Sequence, residues 1–285
     1  MTKAFFTNNQ SGLMNEVFVQ LSFEPKTPGE LMNKLANPDG VRVSYPYRKK
    51  FLGSGFSIDL NTTMIEQSNK RRYVVLIHEH FKTLYDRELR MPLVTYANFD
   101  YTKRRETALS DERQFSYDPL LPEAEQIGPS FYEKDEFDKG HMVRRASIDW
   151  GSTQEEALSA QLQSDYYTNV VAQYANFNRI VWKSVETECS ELARKHGKII
   201  EITGVWISDV KKYDSNRDNS DKRVVADAFW KCCVFASTSV PTECFFVPHS
   251  GSIGKDFDVN LFRVTLKQLN EKLGYDISGR WKFFK

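Results

Sequence analysis

The chain has 285 residues, 40% of them hydrophobic and 13% aromatic, with 39 lysines and arginines against 38 aspartates and glutamates for a formal charge of +1. This excludes a disordered chain, and it excludes a protein that coats nucleic acid by bulk charge. No apolar run approaches the roughly 20 residues that span a bilayer, so a globular protein without a membrane partner is expected.

The opening MTKAFFTNNQSGLMNEVF has neither an uninterrupted apolar region nor a small-residue cleavage site, so no secretory signal is read there and cytoplasmic residence is expected. Residues 1–50 hold a strand-like VFVQLSF. They also hold a helix start in which Thr27 caps, Pro28 takes the first helical position and Glu30 stands three residues after the cap. They read as an N-terminal extension for self-association or for a regulatory or inhibitory partner, ahead of one domain over 51–285.

In that domain RYVVLIHEHFKTLYD reads as one strand and PLVTYANFDY as the next, forming a hairpin across DRELRM. His78 and His80 fall on one face of the first strand, where packing or exposure is expected and not metal ligation. The clusters Lys70-Arg71-Arg72 and Lys103-Arg104-Arg105 read as solvated faces. The Pro-, Asp- and Glu-rich stretch 106–134 reads as a long functional loop. Helices are expected over 154–164 and 176–196, and IIEITGVWISDV and AFWKCCVFAS read as strands. Cys189, Cys232, Cys233 and Cys244 lack C-x-x-C spacing and read as buried thiols.

Two stretches carry chemistry. EFDKGHMVRR places His141 behind a glycine with Lys139, Arg144 and Arg145 around it. Cations beside an imidazole favour its neutral, proton-accepting form, so the stretch reads as a general base beside an anion site. In TNVVAQYANFNRIVWKSVETE, Asn178, Trp182 and Glu186 are spaced by four, which on a helix sets them along one face about 6 Å apart per step. An amide oxygen and a carboxylate are a sparse set of hard donors, the kind magnesium accepts because it keeps several of its waters.

D-K-G-H-M-V-R-R, then D-W-G, then T-N-x-x-x-Q-x-x-x-F-N-x-x-x-W-x-x-x-E together resemble the DNA/RNA non-specific endonuclease family with its ββα-metal finger, and similarity in order and kind extends over residues 51–285. The resemblance implies an α/β (α+β) fold with a central, mostly antiparallel sheet flanked by helices. It further implies a Mg²⁺-dependent endonuclease acting on DNA and RNA with 5′-phosphorylated products, Mn²⁺ being the expected substitute metal. His141 would be the general base, Asn178 the direct metal ligand and Glu186 a holder of the metal's waters, while Asn169 shapes the site. Lys139 and Arg113 would hold the scissile phosphate, and Arg144 and Arg145 would bind substrate. The family often has arginine where Lys139 stands, so a point charge replaces a bidentate fork there. The alternative is a catalytically silent nucleic-acid-binding or scaffold protein on the same fold.

Overall fold

In the computed structural model of the protein, which describes residues 16–17, 45–61, 72–105, 114–132, 137–208, 212–214, 222–252 and 257–283, the run RYVVLIHEHFKTLYD is not one strand. It divides into β1 (Tyr73–Ile77) and β2 (Phe81–Asp86) at a turn where His80 takes a positive φ of 66°. Both histidines are buried in that turn and find their partners off the strand axis. His78 Nε2 lies 2.8 Å from Asp118, and His80 stacks on Trp150 at 3.7 Å between ring centroids while Nε2 donates to the Trp150 carbonyl. Burying two imidazoles with partners outweighs continuing the ladder, because an unpaired buried polar group is costly. β3 (Met91–Asp100) then pairs with β2 across the expected hairpin.

β4 (Phe137–His141), α1 (Arg145–Ile148), α2 (Gln154–Ser164) and β5 (Val170–Tyr174) follow. Thr153 caps α2 by accepting a hydrogen bond from the Glu156 amide. A π-helical turn over Phe177–Trp182 leads into α3 (Lys183–His196), which ends at Gly197 with φ 77°. Next come β6 (Lys198–Trp206), β7 (Ala228–Phe235), β8 (Glu243–Pro248), β9 (Arg263–Val264) and α4 (Leu266–Leu273).

Seven of these strands form an antiparallel sheet in the order β1-β2-β3-β6-β7-β8-β9, and the two-residue strand Glu16–Val17 lies parallel to β1 at its edge. Val181, Val185, Cys189 and Ala193 recur every four residues, and all are fully buried as α3 packs on β6 and β7. Each valine buried there contributes roughly 1.5–3 kcal/mol. The helix that carries the candidate metal-holding residues is thereby fixed to the middle of the sheet.

The cysteines differ in part from expectation. All four are buried, but Cys232 and Cys244 face each other across β7 and β8 and are joined as a disulfide, while Cys189 and Cys233 remain thiols. The lack of C-x-x-C spacing carried no information about a pair made by strand register. Lys103 and Arg104 are exposed, as expected of a solvated face, but Arg104 also forks onto Asp149 and Arg105 donates to the Gly151 and Ser152 carbonyls, so the cluster ties two loops together as well. Among the described residues no helix is long and apolar enough to cross a membrane. The predicted helix after Thr27, the strand-like VFVQLSF beyond Val17, Lys70, Arg71 and Arg113 lie outside the described residues.

Candidate active site

β4 and β5 pair in antiparallel register from Phe137↔Tyr174 to His141↔Val170. They are joined not by a tight turn but by residues 142–169, which include α1 and α2, and β5 leads through the π turn into α3. Two strands and a helix thus converge on one place. Gly140 is required there by space: a Cβ at that position would stand 2.3 Å from the Gln173 side-chain carbonyl carbon on β5. A side chain at position 140 would have to displace that of Gln173, between Lys139 and His141 in the chain.

Where the two strands meet the helix lies a pocket of about 560 Å³. Five basic side chains line it (Lys139, Arg144, Arg145, Arg179 and Lys183) against two carboxylates, Asp138 and Glu186, with His141, Asn178 and Phe115 completing the wall. On a chain of net charge +1, five against two concentrates positive potential in a single recess. The ligand it suits is an anion.

The polar groups in this recess have defined partners. His141, 7% exposed, sets Nε2 2.9 Å from Asp165 Oδ1. Arg145 donates through Nε to that same oxygen at 3.1 Å and through Nη2 to Oδ2. Burial opposes ionisation of Asp165, but His141 and Arg145 outweigh it and hold the carboxyl below its ordinary value. The Lys139 ammonium stands 5.2 Å from the Phe115 ring centroid and 5.4 Å from that of Tyr132, two cation–π contacts that steady a flexible side chain.

On the helical side, Asn178 Nδ2 donates to Asp138 Oδ2 at 2.9 Å, and Arg179 forks onto both oxygens of the same carboxylate. With its nitrogen committed, the Asn178 amide has its oxygen as the end available to a cation. Glu186 lies 3.7 Å from Arg144 Nε. Burial raises the Glu186 pKa above its ordinary value; Lys231 and then Arg144 pull it down, and Glu201 pushes it up. Lys231 is itself buried on β7, donating to Thr203 Oγ1 at 2.7 Å and standing 3.6 Å from Glu201. Burial works against that ammonium, but Glu201 foremost keeps it protonated. The buried Lys231 ammonium therefore acts electrostatically on the carboxylate of Glu186.

His141, Lys139, Asn178, Glu186, Arg144 and Arg145 all line the same pocket. Asn169 does not: it is fully buried, accepting from the Val143 amide and donating to the Val143 and Ser164 carbonyls, so it braces the backbone that leaves His141. Trp182, expected on the face shared by Asn178 and Glu186, is buried in the core. Eight residues of ideal α-helix would turn Glu186 about 80° away from Asn178. The wider π turn absorbs rotation between them, and both side chains reach the pocket.

Sequence reasoning did not single out Asp138, Asp165, Phe115, Arg179 or Lys183. A signal existed for two of them, since Arg179, Lys183 and Glu186 follow the i, i+4, i+7 spacing of one helical face. Nothing in the spacing of Asp165 points to His141, 24 residues earlier.

The residues fit a divalent cation of one kind. Among the described residues no group of three or more His, Cys, Asp or Glu side chains could hold an ion, so a fully protein-ligated cage is absent there. One amide oxygen with a carboxylate nearby, in a recess of about 560 Å³, suits a hard ion that keeps most of its waters.

A model of the DNA/RNA non-specific endonucleases matches residues 59–283. An uncharacterized protein, y4fB, of Sinorhizobium fredii is 30% identical over 122 residues, covering 39% of this chain; the chain spans only 18% of that protein's length. In structure the chain is similar to EndoG in a crystal structure of the EndoG/EndoGI complex that concerns EndoG inhibition. The TM-score is 0.56 at 19% identity, over 70% of this chain and 83% of the other, which is a likeness of fold.

Proposed function

Since the chain belongs to the DNA/RNA non-specific endonuclease family, matching its model over residues 59–283, we propose that it hydrolyses phosphodiester bonds of DNA and RNA in the pocket between β4 and α3. The observation that carries this reading is the pocket itself: an acid-paired histidine, an oriented amide and five basic side chains in one recess.

His141 takes the proton from the attacking water, a general-base contribution of about 10²–10⁴-fold. Lys139 holds the scissile phosphate as a point charge, helped by its two aromatic contacts. Arg113, outside the described residues, is assigned to the same phosphate by the resemblance alone. Arg144, Arg179 and Lys183 receive the flanking phosphates, which position a strand without reading its bases. Arg145 lines the pocket but commits two donors to Asp165, so its share in binding substrate is smaller than the sequence suggested. Asn178 through Oδ1, with Glu186 through water, would hold a Mg²⁺ ion. When bound, such an ion supplies neutralising charge at the phosphate and at the leaving oxygen.

The test is cleavage of supercoiled plasmid and of a long RNA by the purified protein, with Mg²⁺ or with EDTA, beside a folded His141→Ala variant. Metal-dependent cleavage that leaves 5′-phosphate ends and falls about 10²–10⁴-fold in the variant is expected. Equal rates in both proteins, or full rate in EDTA, would sink the mechanism. A folded wild type that binds nucleic acid and cleaves none would favour the silent binding module.

A further inference from the structure

His141 meets a carboxylate, and that contact decides which of its two ring nitrogens can act. An ionised carboxylate only accepts hydrogen bonds, so a ring nitrogen held against one must carry the proton. The nitrogen facing Asp165 Oδ1, at 2.9 Å, is Nε2. In a neutral imidazole the other nitrogen is then the one with the lone pair.

We propose that Asp165 is the positioning residue of the site: it fixes His141 as the Nε2–H tautomer and so makes Nδ1 the atom that takes the proton from water. The proposal rests on the reading of His141 as general base and adds to it the group that sets the base's orientation and tautomer.

Three features of Asp165 suit it to this role. Its side chain is 1% exposed, so water does not compete for the carboxylate. It terminates α2, and its backbone is tied on both sides: the amide donates to the Leu162 carbonyl and the carbonyl accepts from the Ser116 amide. Finally, Arg145 forks onto both of its oxygens, which locks the carboxylate plane and offsets its charge. The imidazolium that forms during turnover stays beside an anion already compensated by Arg145, so the proton rests on His141 and is not passed on to Asp165. A carboxylate that orients a histidine without itself taking the proton is a recurrent device in hydrolases on unrelated folds.

The chain from α2 to the base is therefore Asp165 to His141, with Asn169 bracing Val143 two residues further on. α2 supplies no group to the pocket wall, yet through Asp165 it determines the state of the base.

The first measurement is the ¹⁵N–¹H long-range spectrum of the histidine rings of the wild-type protein in EDTA, with His141 assigned by its absence in His141→Ala. The Nε2–H tautomer is expected. A folded wild type showing Nδ1–H overturns the proposal, whatever the activity. The second is the kinetics of Asp165→Ala with Mg²⁺. Its kcat should fall about 10²-fold with KM within about twofold of wild type, the pattern of a group that acts on the base and not on the substrate. Wild-type kcat in a folded Asp165→Ala protein, while His141→Ala is inactive, would overturn the role of Asp165 and leave the endonuclease reading standing. If wild type itself cleaves nothing, that reading falls, and the spectrum still decides the tautomer. Should Asp165→Ala fail to fold, the wild-type spectrum alone carries the decision.

Discussion

Acid should loosen the site through a histidine that takes no part in the chemistry. His249, in the loop after β8, donates from Nδ1 to the Ala226 carbonyl and accepts at Nε2 from the Tyr174 amide. It packs between the rings of Tyr174, Phe177 and Phe229. Burial pushes its pKa from the ordinary 6.5 down to about 4, against smaller opposing effects of the Ala226 carbonyl and Asp227. A folded-state value below the unfolded one means that the unfolded chain binds the proton first. The stability is thus whole above pH 6.5 and drains away as pH falls towards 4. A gap of about 2.5 pH units is worth about 3.4 kcal/mol in full, and about 2.5 kcal/mol of that is gone by pH 4.5. Protonated Nε2 can no longer accept from Tyr174, the last residue of β5 and only four residues before Asn178, so a tie just ahead of the candidate metal-holding segment is lost. The perturbation is His249→Phe, which keeps the ring packing and removes the titration. At pH 7 the variant should be less stable by about 2–6 kcal/mol, about 1–3 kcal/mol for each of the two stranded groups, the Tyr174 amide and the Ala226 carbonyl. By pH 4.5 the difference between the urea-unfolding free energies of the two proteins should have shifted by about 2.5 kcal/mol in the variant's favour. His80, pushed down to about 3 chiefly by burial, titrates in both proteins and cancels in the difference. Parallel stability curves between pH 7 and 4.5 would refute the reasoning.

Two further predictions concern the walls of the pocket. Glu186 has a folded-state pKa above its unfolded one, so its ionised form penalises the native state as pH rises above the carboxylate range. In EDTA, Glu186→Gln should melt at a higher temperature than wild type at pH 7, the gain should vanish in acid, and the nuclease rate with Mg²⁺ should fall; calorimetry showing a lower Tm at pH 7 contradicts the sign. Gly140→Ala should cost about 1–3 kcal/mol, because its Cβ would overlap the Gln173 side chain. A chemical-denaturation midpoint equal to wild type would show that β5 can yield.

Much of the fold is legible because it rests on short-range pattern. The four-residue recurrence of Val185, Cys189 and Ala193 marks α3, Thr153 before Gln154 marks the start of α2, and the apolar β-branched run from Ile199 marks β6. The division of β1 from β2 was not legible, since a left-handed residue at His80 is stabilised by Trp150, 70 positions away. The same contrast holds in the site. His141, Lys139, Asn178 and Glu186 stand in local motifs and share one pocket, whereas Asp165 and Asp138 acquire their roles only when α2 and β4 are folded against their partners. Register, likewise, and not sequence spacing, joins Cys232 to Cys244.

The π turn at Phe177–Trp182 has a consequence for how this helix could be edited. A π turn is an α-helix carrying one surplus residue, and such turns concentrate at functional sites. Deleting one residue between Arg179 and Val181 would let the segment relax to ordinary α geometry, with α3 still seated on β6 and β7 through Val185, Cys189 and Ala193. With one residue fewer, seven steps of ordinary α-helix turn through about 700°, so Asn178 would come back to within about 20° of Glu186. Asn178 and Glu186 would go on facing the same recess. The outcome is a shorter and more regular helix on an intact sheet, with its candidate cation donors still in phase: the bulge works as a splice, taking up one extra residue without turning what lies on either side of it.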